Sequence, residues 1–180
     1  MDAEREKDFR EFVATRSPAL LKLAMLLCGG DQHEAEDLLQ NALIKTAGRW
    51  HRVEEPEAYV RQVLYRQQVG RWRLRWPRRE VTVAAPPERG VVDGAGVVET
   101  RIVIRDALSR LTARQRTVLV LRYFEDLPEA EVAALLGCSV GTVRSTTHRS
   151  LARLRQLSPE LFAAGPGTGR AARDLSTAEA

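Results

Sequence analysis

The sequence has few of the residues that build metal centres or disulfides, and it has no apolar run long enough for a membrane span. It contains 2 cysteines, Cys28 and Cys138, and 3 histidines, and none of them falls in a CxxC or HxxxC spacing. A structural zinc site needs about four such ligands, so we expect no metal centre and two reduced cysteines. No apolar run approaches the roughly 20 residues of a membrane helix, and the charged amino terminus does not resemble a signal peptide. We therefore expect a cytoplasmic protein without contact to a membrane.

The sequence also lacks the patterns that indicate catalysis or cofactor binding. No nucleophile is paired with a base, and Gly94-Ala95-Gly96 and Gly165-Pro166-Gly167 precede no strand-to-helix turn that would hold a phosphate. We therefore expect a protein that is not an enzyme, with no cofactor, no metal and no small-molecule substrate.

Aromatic residues make up only 6% of the chain and segments with strand character are few, which favours an all-α fold. The stretch over 76–96 is rich in Pro, Gly, Val and Ala without a helical period, so we predict a flexible linker there. The predicted organisation is two small helical domains, an N-terminal bundle over 5–75 and a C-terminal four-helix domain over 97–158. The remainder, 159–180, has the composition of a disordered tail.

Residues 128–157 have the pattern of a helix-turn-helix. The first predicted helix has Pro128 in its first turn and an apolar face at helical spacing, formed by Val132, Leu135 and Leu136. Gly137 fits the left-handed residue that ends a helix, and Ser139 fits the N-cap of the next one. So short a break forces the two helices to cross steeply, which leaves the second helix available for the major groove of DNA.

The second predicted helix, which runs to about Arg155, has a core face and a polar face. The core face is formed by Val143, Thr147, Leu151 and Leu154. The opposite side carries groups that can bond base edges or phosphates, namely Thr142, Arg144, Ser145, His148 and Arg149. The alternative is a plain helical hairpin with a solvated basic face. That alternative explains the charge but not the small–Gly–apolar spacing of Ala133, Gly137 and Val143.

Helical patterns also fill the first part of the chain. We predict one helix from Asp2 to about Thr15 and a second from Ala19 to Cys28, with Ser17-Pro18 as its N-cap and first turn. A third helix follows the capping-box spacing that begins at Asp31. Its predicted buried stripe consists of Ala35, Leu38, Leu39, Ala42, Leu43 and Thr46. Beside the stripe lies a polar ridge formed by Glu36, Asp37, Gln40 and Asn41, which for most helices is a solvated face.

A loop over 48–55 and the helix after it combine arginines with aromatic rings. The loop contains Trp50 and His51, and the helix begins at Pro56 and runs to about Arg75. Its candidate nucleic-acid contacts are Tyr59, Arg61, Arg66, Arg71, Trp72 and Arg73. An arginine run alone is usually a solvated face. Arginines mixed with tryptophan and tyrosine suit phosphate contact and stacking on unpaired bases, so we prefer that interpretation.

Two further helices are predicted before the helix-turn-helix. The first, Val97 to Arg110, has inward positions Val98, Ile102, Leu108 and Leu111. The second opens with a capping box of Thr112 and Gln115 and runs from Ala113 to Phe124. Its predicted packing positions are Val118, Leu119, Leu121 and Tyr123.

Together these segments resemble the bacterial RNA polymerase sigma factors of the extracytoplasmic-function (ECF) type, of the SigE-like family, over about residues 5–158. EAEDLLQNALIK resembles the family's region that binds the clamp helices of the largest polymerase subunit. EPEAYVRQVLYRQQVGRWR resembles the helix that opens and recognises the −10 element. LTARQRTVLVLRYFEDLPEAEVAALLGCSVGTVRSTTHRSLARLR is similar to the −35-recognising domain.

The resemblance implies a subunit that docks on core RNA polymerase, through the clamp helices and the flap, and binds promoter DNA. It assigns Asp37, Gln40 and Asn41 to the polymerase contact, although the family often has an acid at the position of Asn41. It assigns the polar face of the second helix of the helix-turn-helix to the −35 element. It also implies a linker that threads the polymerase channel, and it leaves an anti-sigma factor open as a further partner.

For the −10 element, the resemblance assigns Trp50 and His51 to capture of a flipped base. The helix residues from Tyr59 to Arg73 named above would bind and melt the element. Arg66 stands where the family commonly has an asparagine, and an arginine there can hold the backbone rather than a base.

Two other classes of protein stay open at this level. A stand-alone helix-turn-helix repressor or activator whose N-terminal half dimerises would bind duplex DNA without polymerase. The basic-aromatic helix and the EDLLQ ridge argue against it. An adaptor that binds only other proteins would leave the polar face of the helix-turn-helix unexplained.

Overall fold

The computed structural model describes residues 3–75, 97–159 and 162, and every regular element in these ranges is helical. The chain divides into two compact units, with the division between Pro77 and Arg78. The predicted linker and the predicted tail from 163 onward lie outside the described residues. None of the described helices is both long and apolar enough to cross a membrane.

The N-terminal unit contains α1 (Ala3–Leu27), α2 (Gln32–Ala47) and α3 (Pro56–Arg75), with a short 3-10 turn at Trp50–Arg52. α2 packs against both α1 and α3 and is therefore the central helix. The core is aliphatic and includes the fully buried Leu20, Leu23, Leu27, Leu38, Val60 and Leu64. Burying a side chain of this size contributes about 1.5–3 kcal/mol relative to exposure, so this core is what holds the three helices together.

α1 is one continuous helix, so the predicted break at Ser17-Pro18 is wrong. Pro18 lacks the N–H that would bond the carbonyl of Ala14, and such a loss usually ends or kinks a helix. Both residues are exposed, so water can bond that carbonyl. The leucines that follow Pro18 in α1 are buried in the core. The free energy gained by their burial outweighs the loss of one hydrogen bond.

Two glycines and the predicted cap at Asp31 form the turn between α1 and α2. Gly29 and Gly30 have φ angles of 70° and 84°, a region that glycine adopts without a steric cost. Asp31 then caps α2, because its carboxylate accepts a hydrogen bond from the amide of Glu34 at 2.9 Å. The predicted buried stripe is confirmed at Ala35, Leu38, Leu39, Ala42 and Thr46. Leu43 is only half-buried.

The C-terminal unit contains α4 (Val97–Ser109), α5 (Ala113–Leu119), a π-helical turn (Val120–Phe124), α6 (Glu129–Leu136) and α7 (Val140–Leu157). α7 packs against α4, α5 and α6. The predicted inward positions Leu108 and Leu111 are buried. The side chains of Val98 and Ile102 lie outside the described set. The capping box of Thr112 and Gln115 is confirmed in both directions.

The prediction of a regular helix up to Phe124 is wrong, because α5 ends at Leu119 and continues as a π-helical turn. All residues from Thr117 to Leu121 are buried. In a regular helix with 3.6 residues per turn, part of so long a run would face solvent. The wider turn accommodates the extra buried residue, Val120, in the core. Tyr123, predicted to pack in the core, is only half-buried.

α6 and α7 form the predicted helix-turn-helix. Gly137 ends α6 in the left-handed conformation, with φ 59° and ψ 47°, and Ser139 caps α7 by accepting the amide of Thr142 at 3.1 Å. Pro128 is the N-cap of α6 rather than a member of its first turn, since its extended ψ of 152° places it before the helix. The core face of α7 is wider than predicted, because Thr146 and Ser150 are buried as well. The hydroxyl of Ser150 donates to the carbonyl of Thr146 at 2.6 Å, which makes its burial tolerable.

Candidate nucleic-acid interface

α7 keeps its predicted polar face free of the core. Arg144, Ser145, His148 and Arg149 are exposed and Thr142 is half-buried, while Val143 and Leu151 on the other side are buried. The separation follows from the helical period, since residues three or four apart lie on the same side. A helix with one face anchored in a core and the other rich in donors has the layout of a helix that enters the major groove.

Local hydrogen bonds order this face. The hydroxyl of Ser145 donates to the carbonyl of Thr142 at 3.2 Å, and Nε of Arg149 donates to the carbonyl of Ser145 at 3.2 Å. The hydroxyls of Ser139 and Thr142 lie 2.9 Å apart. The Arg149 guanidinium is therefore tied to its own helix at Nε, which leaves its two terminal nitrogens for a bidentate contact.

Arg144 makes a contact that the sequence did not predict. Its Nη2 donates to Oε2 of Glu129, at the start of α6, over 2.8 Å. The hydrogen bond to Glu129, together with the negative charge of that carboxylate, raises the pKa of Arg144 above its ordinary value. The guanidinium stays charged, and its side chain is still 72% exposed.

The candidate residues of α3 do not share one face. Tyr59, Arg66 and Arg73 recur every seven residues, about two helical turns, and so lie along one side of the helix. Arg66 and Arg73 are exposed and Tyr59 is half-buried. The helix brings these three residues onto one side, and it also places the Arg73 guanidinium 5.8 Å from the centroid of the Trp72 ring.

Three other predicted positions, Arg61, Arg71 and Trp72, lie on other sides of α3. Nη2 of Arg61 forms an ion pair with Glu57 at 2.9 Å, and Nη1 of Arg71 donates to the carbonyl of Glu34 at 3.3 Å. All three side chains are half-buried. The contact of Arg71 joins α3 to the first turn of α2, so this arginine has a structural role within the unit.

The loop before α3 places its two candidate rings differently. His51 is exposed, whereas Trp50 is half-buried against α1. The ring centroid of Trp50 lies 5.1 Å from that of Phe9 and 5.3 Å from that of Phe12. Arg49 links the loop to α3, because its Nη1 donates to the hydroxyl of Tyr59 at 3.4 Å. The loop is thus attached to both neighbouring helices.

The polar ridge of α2 is exposed and includes an apolar side chain that the polar pattern did not indicate. Asp37, Gln40 and Asn41 are exposed, and Asn41 Nδ2 donates to the carbonyl of Asp37 at 2.7 Å. Ile44 lies one turn further on the same side and is 63% exposed. Its spacing from Gln40 and Asn41 was the available signal. A single exposed isoleucine is common on protein surfaces, so its place within the ridge, rather than its exposure alone, makes Ile44 a candidate for a protein contact.

Two other functional candidates were missed. Phe124, at the end of the π-helical turn, is 58% exposed. Glu129, which holds Arg144, gave no signal in the sequence because the two residues lie 15 positions apart.

No group of His, Cys, Asp and Glu within the described residues is arranged to hold a metal ion.

Comparison with known proteins gives one family throughout. Residues 101–154 match the family model of sigma-70, region 4. Over 152 residues, the chain is 42% identical to the RNA polymerase sigma-E factor of Streptomyces coelicolor, which covers 83% of this chain and 85% of that protein. It is also similar to the ECF RNA polymerase sigma factor SigL of Mycobacterium tuberculosis, with 28% identity over 141 residues, 73% of this chain and 78% of the relative.

A solved structure supports the same conclusion about the fold. The sigma factor RpoE from Bartonella quintana, in a co-crystal structure with the anti-sigma factor NepR, aligns with a TM-score of 0.55 and 25% identity. The alignment covers 85% of this chain and 98% of that chain. The predicted all-α fold class is therefore confirmed.

Proposed function

The chain belongs to the ECF-type RNA polymerase sigma factors, and we propose which of its surfaces bind core polymerase and which bind promoter DNA. As a sigma factor it directs transcription initiation and is a polymerase subunit rather than an enzyme. Core RNA polymerase and promoter DNA are accordingly its partners. Since a sigma factor acts where the polymerase acts, the proposal also locates the protein in the bacterial cytoplasm.

In this proposal, residues 97–158 bind duplex DNA at the −35 element through the polar face of α7. The observation that carries the proposal is that this face presents Arg144, His148 and Arg149 to solvent while the opposite face is buried. Arginine can form two hydrogen bonds with guanine in the major groove. The hydroxyls of Thr142 and Ser145 supply additional contacts to bases or phosphates.

The N-terminal unit, residues 5–75, docks on core polymerase in this proposal through the exposed side of α2. Asp37, Gln40, Asn41 and Ile44 form the docking face, which binds the clamp helices of the largest subunit. The mixture supports such a contact, because an exposed isoleucine gains from burial and the surrounding polar groups give the contact its orientation. The C-terminal unit makes the second contact, with the flap, and the exposed ring of Phe124 is our candidate for it.

The same N-terminal unit binds and melts the −10 element. Tyr59, Arg66 and Arg73 form the line of contacts along α3, and His51 and Trp50 receive a flipped base. Arg61, Arg71 and Trp72 support this surface from the neighbouring sides of the helix. All three have partners within the unit, since Arg61 pairs with Glu57, Arg71 bonds Glu34 and the Trp72 ring lies 5.8 Å from the Arg73 guanidinium. We assign Arg61 and Arg71 mainly to positioning.

An anti-sigma factor is a further partner in the proposal. Support comes from the Bartonella quintana sigma factor, which was crystallised with the anti-sigma factor NepR. Such a partner would inhibit transcription by covering the polymerase-docking face or the polar face of α7. Addition of the partner protein to a transcription reaction should then lower the yield, and excess sigma factor should restore it.

Run-off transcription tests the function as a whole. Core polymerase is combined with this protein and with linear promoter templates selected from the genome that encodes it, and the transcripts are sized. We expect discrete transcripts that require the protein. Transcripts that are equally abundant without it, or a protein that binds duplex DNA but never joins the polymerase, would exclude the proposed role.

A further inference from the structure

We propose that Glu129 is a positioning residue for DNA recognition, which holds Arg144 and thereby determines the base pair that its guanidinium can bond. The inference rests on the proposed role of the α7 face in −35 recognition. It adds a residue from α6, outside that face, to the machinery of sequence preference.

The geometry of the pair is the first observation. Glu129 lies in the first turn of α6, and its Oε2 accepts from Nη2 of Arg144 at 2.8 Å. The Glu129 side chain is 27% exposed, whereas that of Arg144 is 72% exposed. The carboxylate is therefore the shielded partner, and the guanidinium projects outward from it.

The chemistry of arginine gives the pair its consequence. A guanidinium is a planar fork with five N–H donors, and the contact with Glu129 occupies one of them. The remaining donors still offer an edge for two parallel bonds to a guanine. An unrestrained arginine has several rotatable bonds and reaches phosphates as readily as bases. Fixing its plane through Glu129 favours one acceptor pair over the others.

The sign of the charge gives a second argument. A carboxylate close to DNA is repelled by the phosphates, so Glu129 should lower affinity for duplexes of any sequence. It should at the same time raise the preference for the correct base pair. If the salt bridge only stabilised the fold, its loss would weaken binding to duplexes of all sequences alike and would leave the base preference unchanged.

The experiment uses holoenzyme assembled from the full chain and core polymerase. A pool of linear duplexes, randomised through the −35 and −10 segments, is first enriched with the wild-type holoenzyme. The wild type and the variants Glu129→Ala, Arg144→Ala, the double variant and Glu131→Ala are then bound to both the unselected and the enriched pool. The bound fraction is measured for each pool, and the fraction bound from the enriched pool is sequenced. Glu131 is the matched control, because it is an acid in the same helical turn and is exposed.

We expect Arg144→Ala to lose its preference at one or two base pairs of the −35 segment. Glu129→Ala should reduce the preference at the same base pairs about threefold to tenfold. It should bind the unselected pool at least as well as the wild type does. The double variant should match Arg144→Ala. Glu131→Ala should keep the wild-type base preferences.

Two results would overturn the inference, and they are distinguishable. If Arg144→Ala changes the base preference and Glu129→Ala does not, or weakens all sequences uniformly, the positioning role of Glu129 is wrong while the −35 role of Arg144 stands. If Arg144→Ala leaves the preference unchanged, the assignment of Arg144 to the −35 element fails, and the role of Glu129 fails with it.

Discussion

The ring of Phe9 in α1 lies edge-on against the indole of Trp50, with centroids 5.1 Å apart and planes at 77°. Edge-to-face pairs of this kind contribute about 0.5–1.5 kcal/mol beyond the area they bury. The loop residue that we assign to the flipped base is therefore also a packing residue between the loop and α1. Substitutions can separate the two roles.

Replacing Trp50 by alanine should impair opening of the −10 region more than formation of the closed complex. The expected loss reflects base–aromatic stacking, worth about 1–3 kcal/mol per base. Permanganate reactivity of −10 thymines measures opening, and filter binding of the same holoenzyme measures the closed complex. Phe9→Ala is the control, since it removes the packing partner and keeps the indole. An equal loss of opening in both variants would assign Trp50 to packing alone.

Replacing Asp37 by arginine should abolish binding to core polymerase, because it reverses the one formal charge of the docking face. Ile44→Asp should weaken the same binding by introducing a charge where an apolar group is buried in the complex. Co-purification with core polymerase measures both effects. Glu11→Arg makes the same charge change on the exposed side of α1 and should leave binding intact. Retention of polymerase by Asp37→Arg would show that the docking face lies elsewhere.

Replacing Arg149 by alanine should weaken binding of the holoenzyme to −35 duplex by about 1–3 kcal/mol if it forms a bidentate contact with a base. Arg153→Ala, one turn further along α7, removes the same charge from another exposed position. Arg153→Ala should lower the affinity for all duplexes, and by less than Arg149→Ala lowers the affinity for the −35 duplex. Competition binding with matched and mismatched −35 duplexes measures the difference. An unchanged −35 footprint for Arg149→Ala would refute the assignment.

Replacing either of two glycines in the helix-turn-helix by alanine should change the free energy of unfolding, in opposite directions for the two positions. Gly137 has φ 59°, so Gly137→Ala should destabilise the C-terminal unit by about 1–2 kcal/mol. Gly141 lies within α7, where an added Cβ would be 3.8 Å from the Ser139 hydroxyl oxygen, an ordinary contact. Gly141→Ala should therefore stabilise α7 by up to about 1 kcal/mol. Hydrogen exchange of the α6 and α7 amides measures both changes, and the same sign for both would contradict this account of the turn.

The sequence predicted best what local chemistry determines. The caps at Asp31, Thr112 and Ser139 and the left-handed glycine at 137 were all predicted and are all present. Each depends on residues no more than four positions apart, so the pattern can be recognised without knowledge of the tertiary structure. The polar face of α7 was predictable for the same reason.

Features that depend on packing were not predictable from local patterns. Pro18 is a strong signal for a helix start, but core packing carries α1 through it. The π-helical turn after Leu119 depends on which residues the rest of the C-terminal unit covers. The partners of Trp50 and Arg144 lie on other helices and far away in sequence. These are the contacts that decide whether a candidate site residue is free for a ligand or occupied by the fold.

Footprinting of a single holoenzyme–promoter complex tests the central claim most directly. Deoxyribonuclease protection locates the duplex contact, and permanganate locates melted thymines in the same preparation. The account predicts protection centred on the −35 element that is lost with Arg149→Ala, together with reactive thymines at −10 that are lost with Trp50→Ala. Two results would contradict the assignment of the two units. In one, Trp50→Ala keeps the reactive thymines at −10 and loses the −35 protection. In the other, Arg149→Ala leaves the −35 protection unaffected.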